Sequence, residues 1–147
     1  MASPTALYTP QVLALATSLA DYPLAENDMQ LPLRGESRSP TCGSSLTLGL
    51  ALDDKGMIKI VGARVQACAI GQAAAALFLQ AAFGRTASNI TASEQKLGAW
   101  LAGQGDLPDW PGLSAIAAAR DYPARHGAIL LAWRAARAAL CSAPQDR

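Results

Sequence analysis

From residue 46 to residue 52, leucine alternates with small or polar residues, the period-two pattern of a strand with one buried face. Residues 53–56, with two aspartates, a lysine and a glycine, then predict a turn. Apolar alternation resumes over residues 57–67, but its parity changes around Gly62, where we expect a bulge or bend. The pattern therefore predicts one long β-hairpin.

Five further segments show apolar residues at helical spacing between residues that start or stop helices. Pro10 opens the first helix, which we expect to lie across the sheet. Thr91 or Ser93 is expected to cap the third helix, with Glu94 completing a capping box. The predicted helices cover residues 10–22, residues 70–83, the stretch from that cap to Gly103, residues 109–119 and residues 125–140.

Residues 31–36 form a candidate edge strand beside the hairpin. Together these elements predict an α+β fold, in which a small antiparallel sheet of two to three strands packs against about five helices. The length of 147 residues is typical of one domain, with a core over about residues 7–140 and no linker or internal repeat.

The composition and net charge limit which kinds of partner the sequence favours. Hydrophobic residues make up 51% of the chain and charged residues 16%, and the formal net charge is +1. Clustered Lys and Arg are missing, so the sequence favours neither nucleic acid nor an anionic membrane as a partner. The most apolar run, residues 67–83, is shorter than the roughly 20 residues that span a bilayer, which indicates a buried helix.

Three cysteines, an odd number, and no recognisable secretory segment predict a reducing, cytoplasmic location without disulfides. Cys42 lies in a Pro-Thr-Cys-Gly turn before a strand, and Cys68 lies where a strand meets a helix. A helix N-terminus favours a thiolate. Because one hairpin joins them, we expect both cysteines in one partly exposed pocket, although cysteines also serve as small buried hydrophobic residues. Cys141 is expected to lie too far along the last helix to join them.

Three motifs resemble the IscU/NifU-type iron–sulfur cluster assembly scaffold family, and its SufU-like branch in particular. They are Pro-Thr-Cys-Gly ending at Gly43, Cys-Ala-Ile-x-Gln-Ala starting at Cys68, and Tyr-Pro-x-Arg ending at Arg125, ahead of Leu-Leu-Ala-Trp. The resemblance covers roughly residues 7–140 and keeps the family's motif order. Each motif alone is weak, but the combination is fairly specific.

The resemblance implies a site of three cysteines and one aspartate, and this chain departs from it twice. Ser44 occupies the aspartate position. Ala128 occupies the third cysteine position without a gap, whereas one deletion would match His126 to a histidine found in some members and Gly127 to the cysteine. Two thiols start a zinc or cluster site, but closed structural sites use four ligands. His126 is the candidate third ligand, with a solvated or hydrogen-bonded histidine as the alternative.

The resemblance implies a non-enzymatic scaffold or carrier that accepts sulfur or metal at Cys42 and Cys68, with a transient iron–sulfur cluster or zinc as its cargo. Cysteine desulfurase and recipient apo-proteins are the implied partners. If Arg125 faces the pocket, it can pair with a thiolate, bound sulfide or a partner's carboxylate, and otherwise it is a surface arginine. A second hypothesis is a degenerate interaction or regulatory module with no cofactor. A third is a thiol enzyme with Cys68 as nucleophile and His126 as base.

Overall fold

The computed structural model describes residues 7–40 and 43–142. It contains one three-stranded sheet and four α-helices, with three short 3-10 helices between them. The strands are β1 (Leu33–Arg38), β2 (Ser45–Leu52) and β3 (Ile58–Gln66), and the α-helices are α1 (Pro10–Thr17), α2 (Ala69–Ala81), α3 (Ala87–Leu101) and α4 (His126–Cys141). The 3-10 helices are Ser18–Asp21, Leu113–Asp121 and Pro123–Arg125. With Leu113–Asp121 as the fifth helix, this confirms the predicted α+β fold.

The sheet is antiparallel in the order β1-β2-β3. Leu46, Leu48 and Leu50 all lie on its inner face and are at most 2% exposed, as their alternation predicts. The edge strand begins two residues later than predicted, at Leu33, and Leu31 is buried against Gly49 and Gly62 of the neighbouring strands.

The bulge expected at Gly62 lies instead at Lys59, where the β2–β3 register shifts. Its effect is visible in Ile60, which the pattern placed on the buried face and which is 41% exposed. Gly62 has a different role, because the carbonyl group of Pro23 lies where its side chain would be. The parity change therefore reflected a real bulge. The prediction assigned it to Gly62 because a glycine in a strand can mark a bulge, but this glycine is required by the close approach of the Pro23 backbone.

α4 covers the inner face of the sheet and lies unusually close to β1. A side-chain carbon at Gly35 would overlap the carbonyl oxygen of Ala135 and lie 2.6 Å from the amide nitrogen of Ala139. The Ser37 hydroxyl donates to the carbonyl oxygen of Leu131 at 2.7 Å. These contacts fix α4 along β1, so the first turn of α4 lies at the end of the sheet where β1 finishes.

α2 lies at the centre of the helical layer, and α1 packs mainly against α2, so the expectation that the first helix crosses the sheet is wrong. Phe78, Trp110 and Trp133 form an aromatic cluster with ring centroids 5.2–5.3 Å apart. The Trp110 indole donates to the carbonyl oxygen of Leu77 at 2.9 Å. No helix in the described ranges combines the length and apolarity needed to cross a membrane.

The cap of α3 also differs from the prediction. Thr86 is the N-cap, and in this capping box its hydroxyl accepts from the Asn89 amide at 3.2 Å while the Asn89 side-chain oxygen accepts from the Thr86 amide at 3.1 Å. The cap lies five residues before Thr91, and buried Ile90 extends the apolar face of the helix. Glu94 instead forms ion pairs with Arg134 and Arg137 of α4, at 3.8 and 3.1 Å.

The β2–β3 turn supplies a prediction about pH. Asp53 accepts backbone hydrogen bonds from Met57 and Lys55, at 3.0 and 2.8 Å, and these bonds lower its carboxyl pKa. A lowered folded-state pKa adds stability above the ordinary carboxyl pKa, and that stability is lost as the pH falls through the folded-state value. We expect Asp53→Ala to lower the urea midpoint at pH 7 and to differ little from wild type at pH 2. An equal deficit at both pH values would show that the carboxylate charge is not the cause.

Candidate functional site

Three segments meet at one end of the sheet. The register aligns Arg38 with Ser45 and Ser45 with Gln66, so the β1–β2 loop and the end of β3 are neighbours. The loop closes through a 2.8 Å bond from the Ser39 amide to the Ser44 carbonyl and a 2.9 Å bond from the Gly43 amide to the Ser39 carbonyl. Cys42 lies outside the described residues, which include its flanking residues 39–40 and 43–44.

Cys68 is the N-cap of α2, as predicted. Its backbone is extended (φ −64°, ψ 168°), its side chain makes no capping bond, and the residue is partly exposed. Its carbonyl oxygen accepts the first bond of the helix, from the amide of Gln72 at 2.9 Å. A reachable thiol therefore lies at the positive end of a 13-residue helix.

The first turn of α4 contacts both the β1–β2 loop and the first turn of α2. A side-chain carbon on Gly127 would overlap the Ser39 hydroxyl, so this glycine lies directly against the β1–β2 loop. A carbon on Gly71 would lie 3.0 Å from the Ala128 methyl carbon, so Ala128 lies against the first turn of α2. Ala128 is 1% exposed, and Ser39 is also 1% exposed. Sequence reasoning missed Ser39 and Gly71, whose only signal was their position next to the cysteine motifs.

His126 and Arg125 complete the candidate residues. The Nε2 atom of His126 is 2.8 Å from the carbonyl oxygen of Arg120. Arg125 is partly exposed, and its backbone amide donates to the carbonyl oxygen of Tyr122 at 2.9 Å. One of the two ring nitrogens of His126 therefore makes the hydrogen bond that the alternative predicted, and its role as a ligand stays a prediction.

The donor atoms that the described residues bring to this site are too few for a closed zinc site. Within residues 7–40 and 43–142, no three His, Cys, Asp or Glu side chains are grouped as metal ligands would be. Ser44, at the family's aspartate position, is 5% exposed and offers a hydroxyl group rather than a carboxylate. Ala128 offers a methyl group, so Cys68 is the one thiol that the described part of the site contains.

Two other sequence hypotheses concern Cys68 and Cys141. Cys68 and His126 make no hydrogen bond with each other, so the described residues lack the contact that a thiol enzyme with this base would need. Cys141 is exposed and is the last residue of α4. It lies 13 residues beyond Ala128, a rise of about 20 Å, which agrees with its exclusion from the pocket.

No protein-family model and no curated protein matches this sequence. Solved structures do match it. The N-terminal part of a nitrogen-fixing NifU-like protein from Brucella abortus shares the fold with a TM-score of 0.79 and 27% identity, over 92% of this chain and 93% of that one. This similarity supports the resemblance to the IscU/NifU-type family that the motifs indicate.

Two further structures show the same fold. A putative iron–sulfur cluster assembly scaffold protein for the SUF system from Fervidobacterium islandicum AW-1 has a TM-score of 0.79 and 20% identity, covering 94% of this chain and 99% of that one. A hypothetical protein has a TM-score of 0.66 and 18% identity, over 88% and 96% of the two chains. The predicted α+β fold is therefore confirmed, whereas the ligand set of this chain stays a prediction.

Proposed function

We propose that this protein is a carrier or scaffold in iron–sulfur cluster assembly, and that Cys42 and Cys68 receive its cargo. Similarity to the NifU-like and SUF-system proteins supports this function. The observation that carries the proposal is the meeting of the loop around residue 42, the N-cap thiol of Cys68 and the first turn of α4 at one end of the sheet.

Sulfur transfer is the step that the described residues suit best. The Cys68 thiolate attacks the outer sulfur of a persulfide on a cysteine desulfurase. A sulfur–sulfur bond forms at Cys68, the donor's sulfur–sulfur bond breaks, and the donor cysteine leaves as a thiolate. The α2 N-terminus stabilises the attacking anion, and the partial exposure of Cys68 leaves it accessible to a partner.

The transfer step predicts a specific labelling result. After incubation with a cysteine desulfurase and L-cysteine, we expect a Cys141→Ser variant to gain one sulfur atom on Cys68, detected by mass spectrometry of the alkylated peptides. Adding Cys68→Ser should abolish that label, because serine provides no thiolate. Retained labelling at Cys42 alone would contradict the role given to Cys68.

Cargo identity needs a separate measurement. Metal and acid-labile sulfide analysis of anaerobically purified protein distinguishes the forms of the proposal. Two irons with sulfide indicate a scaffold that delivers clusters to recipient apo-proteins, and one zinc indicates a SufU-like carrier. Sulfur without metal indicates a sulfur carrier.

A second candidate is the degenerate interaction module. It is favoured by the buried methyl group of Ala128 and the buried hydroxyl group of Ser44, which stand where the family has a cysteine and an aspartate and leave the described site short of ligands. This module would bind the desulfurase without accepting sulfur. Binding in a pull-down together with no label on either cysteine would select it over the carrier.

A further inference from the structure

His126 is the chain's single histidine and the first residue of α4. Its Nε2 atom lies 2.8 Å from the carbonyl oxygen of Arg120. A carbonyl oxygen only accepts hydrogen bonds, so Nε2 must carry the hydrogen atom and donate it. Nε2 therefore has no lone pair to offer a metal, whereas Nδ1 keeps the lone pair of the neutral ring.

Arg120 also contacts Trp100 of α3. Its Nε atom donates to the carbonyl oxygen of Trp100 at 2.7 Å, and its guanidinium carbon lies 5.3 Å from the centre of the Trp100 ring. Trp100 is 5% exposed and belongs to the last turn of α3. His126 and Arg120 thus connect the start of α4 to the end of α3.

The segment between these two residues is short and turned. The Tyr122 amide donates to the Ala119 carbonyl at 3.0 Å, and the Arg125 amide donates to the Tyr122 carbonyl at 2.9 Å. The His126 bond closes residues 120–126 into a loop immediately before Gly127 and Ala128, which contact the β1–β2 loop and the first turn of α2. The orientation of this segment beside the site therefore depends on a contact that His126 makes.

We propose that His126 is a positioning residue, and that its Nε2–H group holds the Arg120 carbonyl so that residues 120–125 keep a fixed orientation ahead of the first turn of α4, which contacts the β1–β2 loop and the first turn of α2. This inference rests on the proposed function for its purpose, because the fixed segment would orient a sulfur donor approaching Cys68. The hydrogen bond itself is independent of that function.

The single histidine makes a direct test possible. A two-bond proton–nitrogen NMR spectrum of histidine-labelled protein should show the neutral ring as the Nε2–H tautomer. A neutral ring in the Nδ1–H form would overturn the proposal. Both results are readable whether or not the protein accepts sulfur.

Variants test the positioning role. In the sulfur-transfer assay, His126→Ala should raise the KM for the donor desulfurase by about tenfold, as expected for one lost hydrogen bond to an ordered segment, with a smaller change in kcat. His126→Gln keeps an N–H donor and should recover much of that loss, whereas Gln104→Ala, at an exposed position away from the site, should behave as wild type. Equal KM values for His126→Ala and wild type would overturn the role. Failure of every protein, including wild type, to accept sulfur would instead refute the proposed function, and the ring spectrum would still decide the contact.

Discussion

The double variant Ser44→Asp with Ala128→Cys is expected to bind zinc roughly a hundredfold more tightly than the natural chain. Even outer-shell partners are worth 10–100-fold in metal affinity, and this variant restores two ligands. The structure supports the choice of Ala128, because its methyl carbon already lies against the first turn of α2, one turn from Cys68. A competitive chelator titration under reducing conditions measures the change. Affinity should also fall at lower pH, since thiol ligands must lose their protons.

Gly127 provides the matched control for that experiment. Ser44→Asp with Gly127→Cys tests the alternative alignment with one deletion, and a side chain on Gly127 would overlap the Ser39 hydroxyl. This control is expected to destabilise the protein and to bind zinc no more tightly than Ser44→Asp alone. Tighter zinc binding by the Gly127 variant than by Ser44→Asp alone would favour the gapped alignment, and the absence of any gain in either double variant would refute a metal-carrying function.

Gly35→Ala is expected to be the most damaging single methyl addition, lowering the free energy of unfolding by about 3 kcal/mol. The added carbon would overlap the α4 backbone at Ala135, and neither a helix backbone nor the neighbouring strand relaxes by a simple side-chain rotation. Urea unfolding followed by circular dichroism measures the loss.

Gly98→Ala is the opposite case and serves as the control. Gly98 lies inside α3, with no heavy atom within 4 Å of an added carbon, so the substitution should raise stability by about 0.5–1 kcal/mol through helix propensity. If both variants lose similar stability, the close approach of β1 and α4 is not what makes Gly35 necessary.

The fold was predictable because each element carries its own local signal. The alternating leucines of β2 and the cysteine at the start of α2 needed no tertiary information. The errors arose where distant segments decide the outcome. The close approach of the Pro23 carbonyl group explains why residue 62 is a glycine. Glu94, which the sequence alone had assigned to a cap, forms an ion pair with Arg137 of α4.

The candidate site was predictable only in part for the same reason. Cys68 was identifiable from its strand-to-helix junction, but the bond from His126 to Arg120 depends on how residues 113–125 turn between α3 and α4. Single-sequence reasoning sees a lone histidine as a possible ligand, since the partner is a backbone carbonyl without a sequence signature. The contact of Gly127 with Ser39 is hidden in the same way, because it joins residues 88 positions apart.

The aromatic cluster gives the protein an intrinsic optical reporter of its site. Phe78 belongs to α2 and Trp133 to α4, so the ring pair joins the two helices whose first turns flank Cys68. Ring pairs at 5.2–5.3 Å in a chiral arrangement couple electronically and produce near-ultraviolet circular dichroism. A shift of either helix that accompanies cargo loading would therefore change this signal without any attached label, which makes partner binding and sulfur transfer observable in real time on the unmodified chain.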